Sequence, residues 1–384
     1  MAGARLDWPA IVARQHAVVA RLRPPPEKLE RYGGRIIHGE ARFVDPHTLA
    51  VDGRRVRGEK ILIAAGSEAV VPPLPGRELA ITSNELLFLP ELPASLVLVG
   101  AGAIGLEMAG AFNDLGVAVT VIGQEDEILP AFDADVAAYV RVRLETRGVT
   151  FHRGSRVTRL EGRRGEITTH FEHAGAPRQA RSHAVGLAVG RRWDPRSLGA
   201  EALALETNRI GLRTSPHLRT SLAHVYAAGD AAGNVQLTPW AAHEGRVAAQ
   251  NALQGDRVRA DRELVPQTIF TTPEVARAGL THREAQQRGI ACHVVTHDMA
   301  GASNGVVTGE DAGYLKLVFE AKSERLVGVQ MVAYAAAELI QLAALAVRSE
   351  TTAEQLATQL SIHPSQGERF IKVAAHQYHE VCEL

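Results

Sequence analysis

The stretch "SLVLVGAGAIGLEMAGAFNDLGVAVTVIG", residues 95–123, decides the fold. An apolar run at 95–99 enters a turn in which Gly100, Gly102 and Gly105 spell G-x-G-x-x-G. The residues that follow are apolar at helical spacing, and 117–122 form a second apolar run. Strand, glycine turn, helix and strand within about 30 residues make a βαβ unit, whose two strands lie parallel. The chain is therefore of the α/β class. Glycines at these three places permit a tight turn and let backbone N–H groups approach a pyrophosphate, which the positive end of the helix dipole favours. A lone G-x-G-x-x-G means little, but between "LVLV" and "VAVTVI" it points to a dinucleotide site. The end of the second strand usually holds the residue that reads the adenosine ribose. Here Gly123 and Gln124 stand there, followed by Glu125 and Asp126. The neighbouring sequence offers no arginine to clamp a 2′-phosphate, and two acids repel one. NAD is the expected dinucleotide, with Glu125 the ribose-side residue and NADP left open.

Upstream, residues 1–90 read as a helix ("WPAIVARQHAVVARL"), a Pro-rich break and short strands in "RIIHGEARFVD" and "TLAVDG". A doubly wound domain normally opens on a buried strand and its glycine turn, so this beginning reads as part of a domain. Downstream come a helix in "DADVAAYVRVRLETRG", strands across 149–189 and a buried strand in "HVYAAGD". From about residue 264 the pattern is α+β: "QTIFTTPE", a helix at "THREAQQRG", a hairpin in "YLKLVFEAKSERLVGVQMV", then helices. The apolar helix "AELIQLAALAV" reads as core or dimer interface.

Composition removes several function classes. Lys plus Arg number 42 against 43 Asp plus Glu, so no basic field draws nucleic acid or anionic lipid. "AAAELIQLAALAV" is interrupted by Glu338 and Gln341 and is too short to span a bilayer. The first residues lack the apolar core of a signal peptide, so a cytoplasmic location is expected. Cys292 and Cys382 are the only cysteines and are far apart, which suggests neither a disulfide framework nor a zinc cluster. The tail "AAHQYHEVCEL" spaces His376, His379 and Cys382 three residues apart on a probable helix face; it reads as a solvated helix end, and no metal site is expected.

Two further turns complete the pattern. "ILIAAGS", residues 61–67, and "HVYAAGDAAG", residues 224–233, are apolar strands that run into small-residue turns. Taken alone, Asp230 would be a turn or helix cap. In this order around the G-x-G-x-x-G unit, however, the chain resembles the flavin-dependent pyridine nucleotide-disulfide oxidoreductases. That class I family includes dihydrolipoamide dehydrogenase, glutathione reductase and mercuric reductase, and the resemblance runs nearly end to end.

The resemblance implies FAD/NAD(P)-binding Rossmann-like domains, the FAD domain incomplete, plus a C-terminal α+β dimerisation domain. The implied division is 1–92 and 213–260 for the FAD part, 93–212 for NAD(P) and 261–384 for the interface. Ala65 and Gly66 match the turn joining the flavin and nicotinamide domains. Gly229 and Asp230 match the FAD site, with the aspartate on the ribityl chain. Glu107, otherwise an ordinary helix charge, matches a glutamate paired with a lysine beside the flavin. His363 and Glu368, in "IHPSQGERF", match the H-P-x-x-x-E dyad: the carboxylate orients the imidazole, which exchanges a proton with a thiol across the homodimer.

Departures from the family pattern lie at the beginning. The family's first G-x-G-x-x-G and its C-x-x-x-x-C are not in residues 1–90. The expectation is an N-terminally shortened FAD-dependent NAD(P)H oxidoreductase, most like dihydrolipoamide dehydrogenase, whose disulfide step lacks its cysteine pair. Its substrate, if that step runs, is a small-molecule or protein-bound disulfide. Alternatives are a mercuric reductase-like or transhydrogenase-like flavoenzyme, or a non-catalytic dinucleotide-binding dimer.

Overall fold

The computed structural model describes residues 6–382 except 24, 26, 263, 264, 301, 302 and 311, without the side chains of 202 and 376–382. The chain divides into two units, one of residues 71–83, 93–189 and 263–384, the other of 1–70, 84–92 and 190–262.

In the first unit, a five-stranded parallel sheet runs in the order Ile81–Thr82, Ala184–Leu187, Ser95–Val99, Ala118–Ile122 and Thr150–His152. Its strands are unbroken apolar runs because both faces are covered: Leu96, Leu98, Val121 and Val185 are wholly buried. The crossover helix Ala103–Asp114 buries Leu106, Ala109 and Phe112, the spacing of one helical face. Helix Ala134–Thr146 does the same with Val136, Val140 and Leu144. A three-stranded antiparallel sheet, Ser155–Arg163, Glu166–His173 and Ala176–Ser182, stands within this unit. Residues 267–333 form a second five-stranded sheet, antiparallel throughout, against which helices Ala336–Arg348 and Gln366–Cys382 pack through Ile340, Ala343, Phe370 and Val373.

A buried polar network fastens the start of helix Ala134–Thr146 to the antiparallel five-stranded sheet. Lys316, on the antiparallel sheet, lies 3.1 Å from Asp133 and 2.8 Å from Asp135 at the start of helix Ala134–Thr146. Gln330 donates to the Asp133 carboxylate and accepts from its N–H, while the N–H groups of His282 and Arg283 donate to the same carboxylate. Buried charges need such full pairing, because desolvation otherwise outweighs their attraction.

In the second unit, helix Trp8–Leu22 is capped by Asp7 and anchored by Trp8, whose indole N–H donates to the Leu89 carbonyl at 2.8 Å. A three-stranded antiparallel sheet covers 41–57, and Ile61–Ile63 pairs in parallel with Val225–Ala227. Helix Thr238–Gln254 follows, and Phe43, Ile63, Trp193, Leu212 and Val225 form a core of this unit. One expected element is shorter than the sequence suggests. Of "RIIHGEARFVD" only Ala41–Asp45 is strand, since Gly39 turns the chain at φ +139°. A side chain there would collide with Asp52. Helix Ala336–Arg348 buries Ile340, Ala343 and Val347 but leaves Leu342 and Leu345 exposed on its other face.

Candidate functional site

The glycine turn is built as its sequence predicts, and each glycine has its own reason. Gly100 has φ +114°, and a Cβ there would lie 2.3 Å from the Ala188 carbonyl. A Cβ on Gly105 would lie 2.0 Å from the Gly100 carbonyl, so helix and strand approach too closely for any side chain. Gly102 differs. It caps helix Ala103–Asp114 in extended conformation, at φ −84° and ψ −171°, makes no side-chain cap, and a Cβ there meets nothing within 4 Å. The helix thus presents its first N–H groups to an open cradle, which fits an incoming pyrophosphate.

At the ribose end, Gly123 is buried between neighbours: its N–H donates to His152, and its carbonyl accepts from Ser155. A Cβ on Gly123 would lie 2.9 Å from that of Ala101, so the turn itself occupies the place of the usual acid. Glu125 and Asp126 stand exposed just beyond. The reading that no arginine is near is corrected by the fold. Arg153, distant in sequence, donates from Nη1 to the Asp126 carbonyl at 2.5 Å and reaches Glu127 at 3.4 Å, because the adjacent strand of the sheet ends there.

A second turn gathers residues from four segments. Ala228 N–H donates to Ile63, continuing the parallel pairing, and brings Gly229 and Asp230 beside 65–67. Ser67 Oγ donates to Asp230 Oδ2 at 2.6 Å. Arg191 holds Ser67 in turn, from Nε to its hydroxyl at 3.0 Å and from Nη2 to its carbonyl at 2.6 Å. Gly66 and Gly229 both have positive φ, 71° and 68°. Beneath the turn Glu244, wholly buried, accepts from Gly229 N–H at 2.7 Å and from Asn234 Nδ2 at 3.0 Å. Burial pushes its carboxyl above the ordinary range, against the pull of these donors. Sequence reasoning missed Glu244, Arg191 and the role of Ser67. The signal for Glu244 was its phase with Trp240, Val247 and Asn251 on one helix face.

Glu107 is half-buried and accepts from Phe270 N–H at 3.0 Å; burial raises its pKa, and that N–H opposes the rise. His363 and Glu368 do meet, with Nδ1 2.9 Å from Oε2. Lys372 bonds the other oxygen, and Lys372 and His363 together hold the carboxyl below its ordinary value. Glu368 also sits in the first turn of helix Gln366–Cys382, where the dipole favours a negative charge. Cys292 is partly buried, donates to Ile290 at 3.4 Å, and is pushed up by burial and by Glu320, the opposite of an activated thiol. The side chains of His376, His379 and Cys382 lie outside the described residues. Among the described residues no group of three or more His, Cys, Asp or Glu could hold a metal, and no helix is long and apolar enough to cross a membrane.

A parallel sheet with a G-x-G-x-x-G turn, followed by an antiparallel α+β domain, is the architecture of a dinucleotide-binding protein. Comparison with known proteins makes this specific. Residues 9–245 match the pyridine nucleotide-disulphide oxidoreductase family, and residues 265–374 match its dimerisation domain. The chain is 32% identical over 372 residues to dihydrolipoyl dehydrogenase of Bacillus subtilis, covering 94% of this chain and 80% of that protein. It is 30% identical to glutathione reductase of Burkholderia cepacia, over 95% of this chain and 81% of the other. Among solved structures, the HOCl-induced flavoprotein disulfide reductase RclA from Escherichia coli superposes with a TM-score of 0.86 at 30% identity, covering 95% of this chain and 85% of that one. The chain belongs to the class I pyridine nucleotide-disulfide oxidoreductase family of flavoproteins.

Proposed function

We propose that the chain is an FAD-dependent NAD(P)H oxidoreductase, most like dihydrolipoamide dehydrogenase, acting as a homodimer. The observation that carries this reading is the open cradle at Gly102, which a side chain would fill without touching the rest of the protein. Gly100 and Gly105 shape the turn, and the N-terminus of helix Ala103–Asp114 meets the pyrophosphate. On the flavin side, Asp230 would hold the ribityl hydroxyls, and Ala65, Gly66 and Gly229 give the backbone room for it. When bound, the flavin would supply the two-electron chemistry, accepting hydride from the reduced nicotinamide. The ribityl end fits the residues present; no second G-x-G-x-x-G occurs in residues 1–94 for its pyrophosphate.

Glu368 gives His363 a defined task. An ionised carboxylate at Nδ1 keeps that nitrogen protonated and leaves Nε2 to take or give a proton. The exposed Leu360 and Ile362, just before His363, support burial of this segment by a second copy. Cys292 favours a second reading, hydride transfer to a small acceptor without a thiol step, since burial and Glu320 hold its thiol above the usual range, the opposite of an activated one.

Purification of the 384-residue chain tests the proposal. A yellow protein that oxidises NADH with an artificial acceptor is expected; a colourless protein that still binds NADH would sink the flavoenzyme reading. Substituting His363→Gln separates the two readings within it. A disulfide-reducing enzyme loses that activity while its artificial-acceptor rate persists, whereas an enzyme without the thiol step shows no disulfide reduction to lose.

A further inference from the structure

The choice between the two nicotinamide dinucleotides is written at the ribose end of the glycine turn, in residues the sequence motif does not include. Gly123 occupies the position from which an acid usually reads the ribose, and Ala101 blocks any side chain there. Discrimination must therefore come from what the fold brings around Gly123. Three backbone bonds zip the 152–155 segment onto the 123–125 loop: Gly123 N–H to His152, Ser155 N–H to Gly123 and Gly154 N–H to Glu125. Arg153 rides on this segment, so its guanidinium lies over the loop, with Nη1 on the Asp126 carbonyl. Arg153 is the cation that this pairing brings onto the loop; the half-buried His152 beside it is held below the usual imidazole range by desolvation and by His173 and Arg178.

Arg153 is restrained by Glu127, which is only a quarter exposed and is shared between two arginines. Its Oε1 takes Arg141 Nε at 3.0 Å and Ile128 N–H at 3.0 Å, while Oε2 lies 3.4 Å from Arg153. Arg141 is paired a second time, with Glu145 at 2.9 Å. Arg141 and Arg153 are thus matched by Glu127 and Glu145, and Glu125 and Asp126 are exposed on the same loop. A dianionic 2′-phosphate placed here meets like charge; a ribose hydroxyl meets hydrogen-bond acceptors.

We propose that Glu127 and Arg153 form the switch that sets dinucleotide choice: Glu127 neutralises Arg153 and so makes the site select NADH over NADPH. This rests on the Gly100–Gly105 turn being the dinucleotide site. Removing the Glu127 carboxylate frees a guanidinium at the loop, and guanidinium is the group best shaped to hold a phosphate in two-point contact.

Calorimetric titration of the full chain with NADH and with NADPH tests this without any turnover. The wild type binds NADH more tightly. Glu127→Gln raises the NADPH-to-NADH affinity ratio by about tenfold, and Glu127→Gln combined with Arg153→Ala returns the ratio to its original value. The gain shrinks as salt is raised, since the added attraction is between exposed charges; a merely structural change would not show that salt dependence. Arg153→Ala alone, which leaves the Arg141 pair in place, lowers the ratio further. An unchanged ratio in Glu127→Gln, or a gain that survives the loss of Arg153, overturns the proposal. Should Glu127→Gln not fold, an unchanged ratio in Arg153→Ala overturns it equally. A wild type that binds neither dinucleotide would instead bring down the underlying assignment of the turn.

Discussion

The turn at Gly100–Gly105 and the turn at Gly229–Asp230, the two proposed cofactor contacts, are close-approach backbone turns that are held at different ranges. The first lies within one βαβ unit but for a single outside contact. Gly100 is fixed by the strand end at Ala188 and Gly105 by Gly100, while Gly102 is free of neighbours. The second is assembled: Asp230 depends on Ser67, Ser67 on Arg191, and Gly229 on Glu244. A local site is specified by three small residues, whereas a distributed one needs polar side chains from distant segments, each satisfied by the next. Failure should accordingly be abrupt in the first and graded in the second.

Substitution at the contact glycines should have the largest effect. Gly105→Val places its side chain inside the Gly100 carbonyl, and we expect a loss of about 3 kcal/mol or more in denaturant unfolding, together with loss of NADH binding. A mild effect there would mean that the strand and helix can separate, contrary to the packing described.

Next comes Glu244. Glu244→Ala strands Gly229 N–H and Asn234 Nδ2 in the interior, which costs about 1–3 kcal/mol on unfolding. Glu244→Gln reads the electrostatics instead. Because burial raises the folded-state pKa above the ordinary 4.5, the protonated carboxyl favours the folded state. That contribution is full below the ordinary value and is lost as pH rises through the raised one. The stability difference, wild type minus Glu244→Gln, should therefore fall with rising pH across this window and then level. A flat difference would show that Glu244 titrates normally.

Arg191→Lys should be milder still, since an ammonium can keep one of the two bonds to Ser67 but cannot reproduce the fork. A loss of about 0.5–1.5 kcal/mol is expected, with weaker flavin retention measured by dialysis. A variant as stable and as yellow as the wild type would show that the serine needs no support.

The same difference in range explains what could be read from the sequence. Helix Ala134–Thr146 lies where periodicity puts it because it buries one local face, Val136, Val140 and Leu144, and the hairpin at 314–333 is built from near-continuous apolar runs; helix Trp8–Leu22 forms as expected although Trp8 alone of its side chains is buried. Helix Thr238–Gln254 escaped notice because Ala, Gly and a buried Glu blur its apolar stripe. His363 and Glu368 were legible through the family resemblance, and the bond between them is local. Arg153 was not, because only sheet order, with Thr150–His152 paired to Ala118–Ile122, carries it to the loop after Ile122. Residues separated widely in sequence declare their partnership only through the fold.

Gly102 isolates the central claim, that this turn binds a dinucleotide. Its backbone is in the ordinary extended region and the space before it is open, so Gly102→Val should cost only what a poorer helix cap costs, about 1 kcal/mol. It should nonetheless fill the cradle. Titration of the full chain with NADH is expected to show binding by the wild type and at least about tenfold weaker binding by Gly102→Val, with the circular dichroism of the two proteins superimposable. Equal affinity in the two would contradict the account.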